Sequence, residues 1–378
     1  MPDPTPIPVL YVIATLDRGG AEHQMTLLAA RLDRSRFAPR AVCLTRGGPF
    51  EQRLRNAGVP CDILHKRRKW SPGTIRRLRR IIREHGARVV HTWLFTGNAY
   101  GRWAARTCRV PAIVAGERSV DDWRGRFHRF IDRRLAWHTD RIVANCGAVR
   151  DFVIREGIDP ARVGVIENAI DLEAFDHAVC DDPADGALDG LDDRFVLIQA
   201  GRLEPQKNLP GLIDAMALVR DAAPEAMLLI AGEGPQRTEI EARIRADGLA
   251  DHVRLIGPRD DLPALFARCD LAVLASRWEG MPNAVIEAMA ARRPVVVTAV
   301  DGCRELVDDG RTGLVVPPDN PDLLVHAILT IRDDPALGLE LGTAARAEVE
   351  QRFAVDRMVD AYQNLYTDLL SRGEETSS

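Results

Sequence analysis

At 378 residues, with 46% apolar and 28% charged positions, the chain has the composition of an ordinary soluble globular protein and the length of two domains of about 150 residues. Its longest apolar runs, such as IPVLYVIATL, fall well short of the ~20 residues a membrane span needs. The opening MPDPTPIPVLYV has no basic region ahead of its apolar run, which argues against a secretory leader. The net charge of −4 is unevenly spread: residues 1–150 hold 29 Lys+Arg against 12 Asp+Glu, and residues 151–378 hold 22 against 43, so an anionic surface or partner is expected for the first half. Seven cysteines without a Cys-x-x-Cys pair or a ligand-like cluster with histidine suggest reduced, mostly buried thiols and a cytoplasmic location.

The first run, PVLYVIAT, reads as a strand. It is followed by the pair Gly19-Gly20 and a helix with Met25, Leu28, Ala29 and Leu32 on one face. Glycine there allows close approach of a ligand to a helix N-terminus, although many strand-to-helix turns use glycine only for its dihedrals. Two basic segments follow, HKRRKWSPGTIRRLRRIIREHGAR and WRGRFHRFIDRRLAWHTDR. Each reads as a helix with an apolar stripe, Ile75, Leu78 and Ile82 in one, Phe127, Phe130, Ile131 and Leu135 in the other. Either both stripes face a core beneath solvated arginines, or Arg124, Arg126, Arg129, Arg133 and Arg134 rest on an anionic membrane or acceptor. Nucleic acid is not expected, because no recognised nucleic-acid module accompanies the charge.

Strand-like runs (RAVCL, RVVHTW, PAIVAG, RIVAN, VGVIEN, then FVLIQAG, AMLLIAG, VRLIG, LAVLAS, PVVVTAV, GLVVPP) alternate with helix-like stretches, the pattern of parallel α/β architecture. The acidic, aperiodic stretch 176–194 reads as a linker between domains 1–175 and 195–354, and 355–371 as a final amphipathic helix. The expected fold class is therefore α/β, with two doubly wound Rossmann-like domains facing across a cleft.

In the second half, FVLIQAGRLEPQKNLPGLIDAM places Arg202 and Lys207 just beyond a strand, where an anionic ligand is expected; a pair of solvated surface cations is the plainer alternative. In SRWEGMPNAVIEAMA, Glu279 lies in the loop after a strand and Glu287 in about the second turn of the helix that follows. A carboxylate accepts two hydrogen bonds from vicinal hydroxyls, and N–H groups at 280–283 suit a phosphate.

At these residues the chain resembles the family-4 retaining glycosyltransferases of GT-B architecture. GGAE, GRLEPQKN, LLIAGEGP, VRLIG, EGMPNAVIEAMA and DGCRELVDDGRTGLVVPPDN stand in that family's order and spacing. VIENAIDLEAF resembles its interdomain crossing, with Ala169 where glycine is usual. The resemblance implies that Arg202 and Lys207 hold the diphosphate of a nucleotide sugar, that Glu287 binds the ribose and Glu279 the donor sugar, and that Gly280, Met281, Pro282 and Asn283 lie near sugar and phosphate. It also implies that Gly20 lets the first loop approach the diphosphate, that no metal or other cofactor is needed, and that the final helix returns to the first domain. Many members carry a histidine in the first domain after a Pro-Val-Val strand; here PAIVAGERS offers Glu117, followed by Arg118. Glu117 would then meet a sugar hydroxyl or Arg118 take the charge role. The expected activity is transfer of a hexose or N-acetylhexosamine to an acceptor in polysaccharide or glycolipid assembly, the acceptor lipid-linked and the protein peripheral on the inner face of a membrane. The alternatives are a non-catalytic nucleotide-sugar-binding scaffold and a nucleotide-sugar epimerase.

Overall fold

The computed structural model describes residues 5–68, 70–120 and 125–375, with side chains described as far as 372. The chain divides into two compact units, residues 1–168 with 355–378, and residues 169–354.

The first unit is a seven-stranded, wholly parallel sheet in the order β3-β2-β1-β4-β5-β6-β7. Its strands are β1 (Ile7–Thr15), β2 (Phe37–Arg46), β3 (Cys61–Ile63), β4 (Val89–Trp93), β5 (Ala112–Glu117), β6 (Arg141–Ala144) and β7 (Val163–Val165). The helices between them are α1 (Gly20–Arg31), α2 (Pro49–Asn56), α3 (Pro72–Glu84), α4 (Leu94–Cys108), α5 (Arg126–Ala136) and α6 (Gly147–Arg155). Central strands such as β4 and β5 are buried along their whole length, which is why they read as continuous apolar runs and not as alternating ones. On one face Leu10, Val12, Val42 and Val90 pack against Leu78, Ile81 and Ile82 of α3 and Ala104 of α4.

The second unit opens with α7 (Leu172–Val179) and contains a six-stranded parallel sheet ordered β10-β9-β8-β11-β12-β13. It runs β8 (Phe195–Ala200), α8 (Leu209–Ala222), β9 (Ala226–Ala231), α9 (Arg237–Ala246), β10 (Val253–Gly257) and α10 (Leu262–Arg268). Then come β11 (Leu271–Leu274), α11 (Asn283–Ala290), β12 (Val295–Thr298), α12 (Asp301–Leu306), β13 (Leu314–Val316), α13 (Pro321–Asp333) and α14 (Pro335–Arg352). Its core joins Leu197, Leu228 and Val296 of the sheet to Ile213 and Met216 of α8 and Ile328 of α13.

The segment 176–194 is not a separate connector; it belongs to the second unit. Its backbone N–H at Ala184 donates to Asp261, Arg254 donates to the Ala187 carbonyl, and Arg268 pairs with Asp182 at 3.0 Å, while Ala187 and Leu191 are buried. The acidic composition that suggested a solvated linker supplies counter-charges to arginines of the second unit. The last helix, α15 (Val355–Glu375), is part of the first unit. There Gln363 accepts from the Asp33 N–H at 2.9 Å and Tyr366 reaches His91 at 2.8 Å.

Candidate active site

In the second sheet the chain builds outward from β8 to β9 and β10, then returns to place β11 on the other side of β8. Loops leaving β8 and β11 must diverge, and such a switch point is where open parallel sheets bind ligands. Lys207 lies in the first of these loops and Glu279 in the second, and Lys207 Nζ stands 2.5 Å from Glu279 Oε1. Lys207 closes a short 3-10 turn, Pro205–Lys207, and Asn208 then takes a left-handed conformation (φ 48°) before α8. Asparagine is among the residues that tolerate this region. The lysine lies along the backbone of Gly201, where an added Cβ would stand 3.0 Å from its Cε.

Glu279 is held from three sides. Ser276 Oγ donates to its Oε1 at 2.7 Å and Gln206 Nε2 to its Oε2 at 3.2 Å. Gln206 also donates to the Trp278 carbonyl at 2.9 Å, and Thr298 at the end of β12 donates to the Ser276 carbonyl. With side-chain exposures of 14% for Lys207 and 6% for Glu279, the pair sits where solvent screens it weakly. A carboxylate offers about four acceptor positions, so these bonds leave room for about one hydroxyl.

Glu287 is half-buried in the second turn of α11, a helix whose N-terminus carries no side-chain cap. The loop before it is fixed by a backbone contact: a Cβ on Gly302 would fall 1.2 Å from the Gly280 carbonyl oxygen, so only glycine lets α12 pack there. Arg202 stands apart, exposed and paired with Glu204 at 3.2 Å. Lys207 and Glu279 are thus brought together, and Arg202 does not join them. Sequence reasoning missed Gln206, Ser276 and Thr298; the first two were signalled only as polar neighbours of charged residues at strand ends.

The corresponding switch point of the first sheet lies between β1 and β4. Gly19 is the N-cap of α1 and Gly20 its first residue. Glu22, nearly buried, accepts from Thr15 Oγ1 at 2.9 Å and folds back until a Cβ on Gly19 would lie 2.3 Å from its Oε2. A side chain at position 19 would therefore have to displace the Glu22 carboxylate from Thr15.

Glu117 ends β5 and Arg118 follows it, and the two are held by different elements, Glu117 by Asn98 of α4 and Arg118 by Tyr362 of α15. Glu117 was expected to meet a substrate hydroxyl. Instead it is 5% exposed, its Oε1 accepts from Asn98 Nδ2 at 2.8 Å, and Asn98 is itself held by Thr92 at 2.7 Å. Its carboxylate lines an interior space with Arg102, Asp132 and Phe152. Arg118 is also buried: it donates to Tyr362 at 2.5 Å and to Asn168 at 3.2 Å and stacks 4.2 Å from the Trp93 ring. Among the described residues no carboxylate pairs with it. Beside it His91, fully buried, is held well below its usual pKa by desolvation and then by the Arg118 charge. Burial pushes the Tyr366 hydroxyl well above its usual pKa, and it lifts the thiols of Cys43 to about 11 and of Cys61 and Cys269 to about 12, which makes all three poor nucleophiles.

Of the basic patch, Arg124 lies outside the described residues. Arg129 and Arg133 are drawn to Glu156, at 2.8 Å and 2.6 Å, and Arg126 and Arg134 are exposed. Phe127 and Phe130 do not face the core; they are 59% and 63% exposed.

Two Rossmann-like units, one carrying a lysine–carboxylate pair at its switch point, form the layout of an enzyme class that handles nucleotide sugars. The model described as "Glycosyltransferase Family 4" matches residues 18–174 and that described as "Glycosyl transferases group 1" matches residues 187–348. The chain belongs to the family-4 glycosyltransferases and has the GT-B fold. It is 27% identical, over 78% of each chain, to the Escherichia coli UDP-Gal:alpha-D-GlcNAc-diphosphoundecaprenol alpha-1,3-galactosyltransferase. It is 30% identical, over 62% of each, to a Campylobacter jejuni alpha-N-acetylgalactosaminyltransferase whose named acceptor is also a diphospho-undecaprenol. Among solved structures, Anabaena HepE in complex with UDP-glucose superposes with a TM-score of 0.85 at 22% identity, over 96% of this chain and all of that one.

Proposed function

We propose that this glycosyltransferase moves a hexose or N-acetylhexosamine from a nucleoside-diphosphate sugar to a lipid-linked acceptor, with retention at the anomeric carbon and without a metal. The Lys207–Glu279 pair at the β8/β11 switch point carries this assignment. Its ammonium is fixed before substrate arrives, so it stabilises the charge that develops on the departing diphosphate without reorganisation. Arg202, exposed at the same loop, adds a mobile guanidinium suited to phosphate oxygens. Glu279 both orients Lys207 and, through its remaining acceptor position, meets a donor-sugar hydroxyl. Glu287 takes the ribose hydroxyls, and the backbone from Gly280 to Asn283 lies along the sugar and phosphate. In retention by same-face attack, the bond from the anomeric carbon to the phosphate oxygen breaks as the acceptor oxygen bonds from the same side. The acceptor proton passes to the leaving phosphate.

The E. coli and C. jejuni relatives name diphosphoundecaprenol acceptors, which supports a lipid-linked acceptor here and peripheral placement at the inner face of a membrane. Among the described residues no helix is long and apolar enough to cross a membrane. The test is calorimetric titration with UDP, GDP and ADP, then transfer from the matching labelled nucleotide sugars to a polyprenyl-diphosphate saccharide, with the product anomer read by NMR. Micromolar binding of one nucleotide and an unchanged anomer are expected. Failure to bind any of the three, or an inverted product, would overturn the proposal.

A further inference from the structure

The short helix α5 exposes its aromatic residues on the side opposite its anchorage. At 100° per residue, Phe127, Phe130, Arg134 and Trp137 share a sector of roughly 80°, and His128, Asp132 and Leu135 fall on the opposite half. Trp137 continues the helical conformation at the C-cap and is 74% exposed. The inner half is anchored by polar contacts more than by apolar burial. Asp132 forms an ion pair with Arg102, whose side chain is 2% exposed, and His128 meets the Phe95 ring edge-on at 5.0 Å. Arg129 and Arg133 tie the flank to Glu156. Rolling the helix to bury its aromatics would break the Arg102–Asp132 pair, and stripping one partner from a buried pair is strongly unfavourable. The three rings are therefore held outward, with Arg126 and Arg134 exposed beside them.

Aromatic rings flanked by guanidinium groups on one helical face suit the boundary between lipid headgroups and acyl chains, where rings bury and arginines reach phosphate. A second copy of the chain is a poorer occupant, because pairing this face with itself would set Arg126 and Arg134 against their own kind. We propose that α5 is an interfacial anchor: Phe127, Phe130 and Trp137 enter the headgroup region of an anionic bilayer while Arg126 and Arg134 pair with lipid phosphates. The proposal deepens the lipid-linked reading of the acceptor, on which it rests.

The experiment is co-sedimentation of the full chain with vesicles of phosphatidylcholine containing 30% phosphatidylglycerol and with pure phosphatidylcholine. It uses the parent, a Phe127→Ser/Phe130→Ser/Trp137→Ser variant and an Arg126→Gln/Arg134→Gln variant, with folding checked by thermal melting. The parent should bind the anionic vesicles at least tenfold better than the neutral ones. The serine variant should lose that binding while keeping its nucleotide affinity, and the glutamine variant should lose the preference for anionic lipid. Quenching of tryptophan emission by bromolipid should drop in a Trp137→Phe variant, a readout that does not depend on the triple substitution folding. Parent protein that ignores anionic vesicles while binding nucleotide would overturn the anchor and leave the proposed transfer reaction standing. A serine variant that sediments like the parent, or a parent dimer that this variant dissolves, would overturn it equally. Vesicle binding without transfer to the lipid-linked acceptor would instead count against the reaction.

Discussion

The carboxyl ends of the two sheets offer the same scaffold and use charge in different ways. In the second unit Lys207 meets a carboxylate, Glu279, and keeps a partly open position in the β8/β11 crevice. In the first, Arg118 is buried against Trp93, Tyr362 and Asn168, partners without charge, and it fastens α15 to the sheet. The lesson is that a cation at a strand end is not a ligand site by position alone. What matters is whether the packing leaves the cation a face open to a ligand. Lys207 keeps a partly open face, whereas Arg118 is enclosed, one of its nitrogens donating to Tyr362 of α15 and another to Asn168.

Lys207→Ala should produce the largest effect. It leaves Glu279 buried without its cation, destabilising the protein by about 3 kcal/mol, and lowers turnover about 100-fold. Adding Glu279→Gln should restore most of the stability and none of the turnover, read by urea unfolding beside initial rates. If both quantities survive in the single variant, the contrast between the two units collapses. Arg118→Met should cost about 1.5–3 kcal/mol through lost charge-assisted bonds, with nucleotide affinity unchanged in calorimetry. A fall in affinity would mean that the first unit's cation also serves the ligand.

Glu287→Gln should weaken nucleoside-diphosphate binding by about tenfold, equivalent to about 1.4 kcal/mol, and leave the melting temperature where it was. Unaltered affinity would return Glu287 to a structural role. The smallest effect concerns His91. Folded, it resists protonation, whereas the unfolded chain protonates it near 6.5. The unfolded state therefore binds the extra proton as pH falls below 6.5, and stability declines there by up to about 1.4 kcal/mol per pH unit. His91→Phe should flatten that slope in urea midpoints measured from pH 7 to pH 5; an unchanged slope would show that other groups control it.

Much of the second-unit site was legible because its residues adjoin strand ends in sequence: Lys207 follows β8, and Glu279 follows β11. Their 2.5 Å contact was not legible, since it depends on β11 pairing with β8 across some seventy residues of chain. Gln206, Ser276 and Thr298 became part of the site for the same reason. Glu117 misled because the sequence carries no mark that Asn98, nineteen residues earlier on α4, stands behind its carboxylate. For α5 the sequence left open whether the stripe faces a core or a membrane, because helical periodicity finds a stripe without showing which way it points.

The sequence by itself determined the alternation of strands and helices, the parallel α/β class, the family and the polarity difference between the halves. Each of these follows from local periodicity, glycine and proline placement, composition or motif spacing. Tertiary structure decided which charges are paired, which are buried, and which apolar residues remain in water. Those outcomes depend on the packing of distant segments: Asn98 behind Glu117, Tyr362 over Arg118, and Arg102 holding Asp132 so that Phe127, Phe130 and Trp137 stay outside.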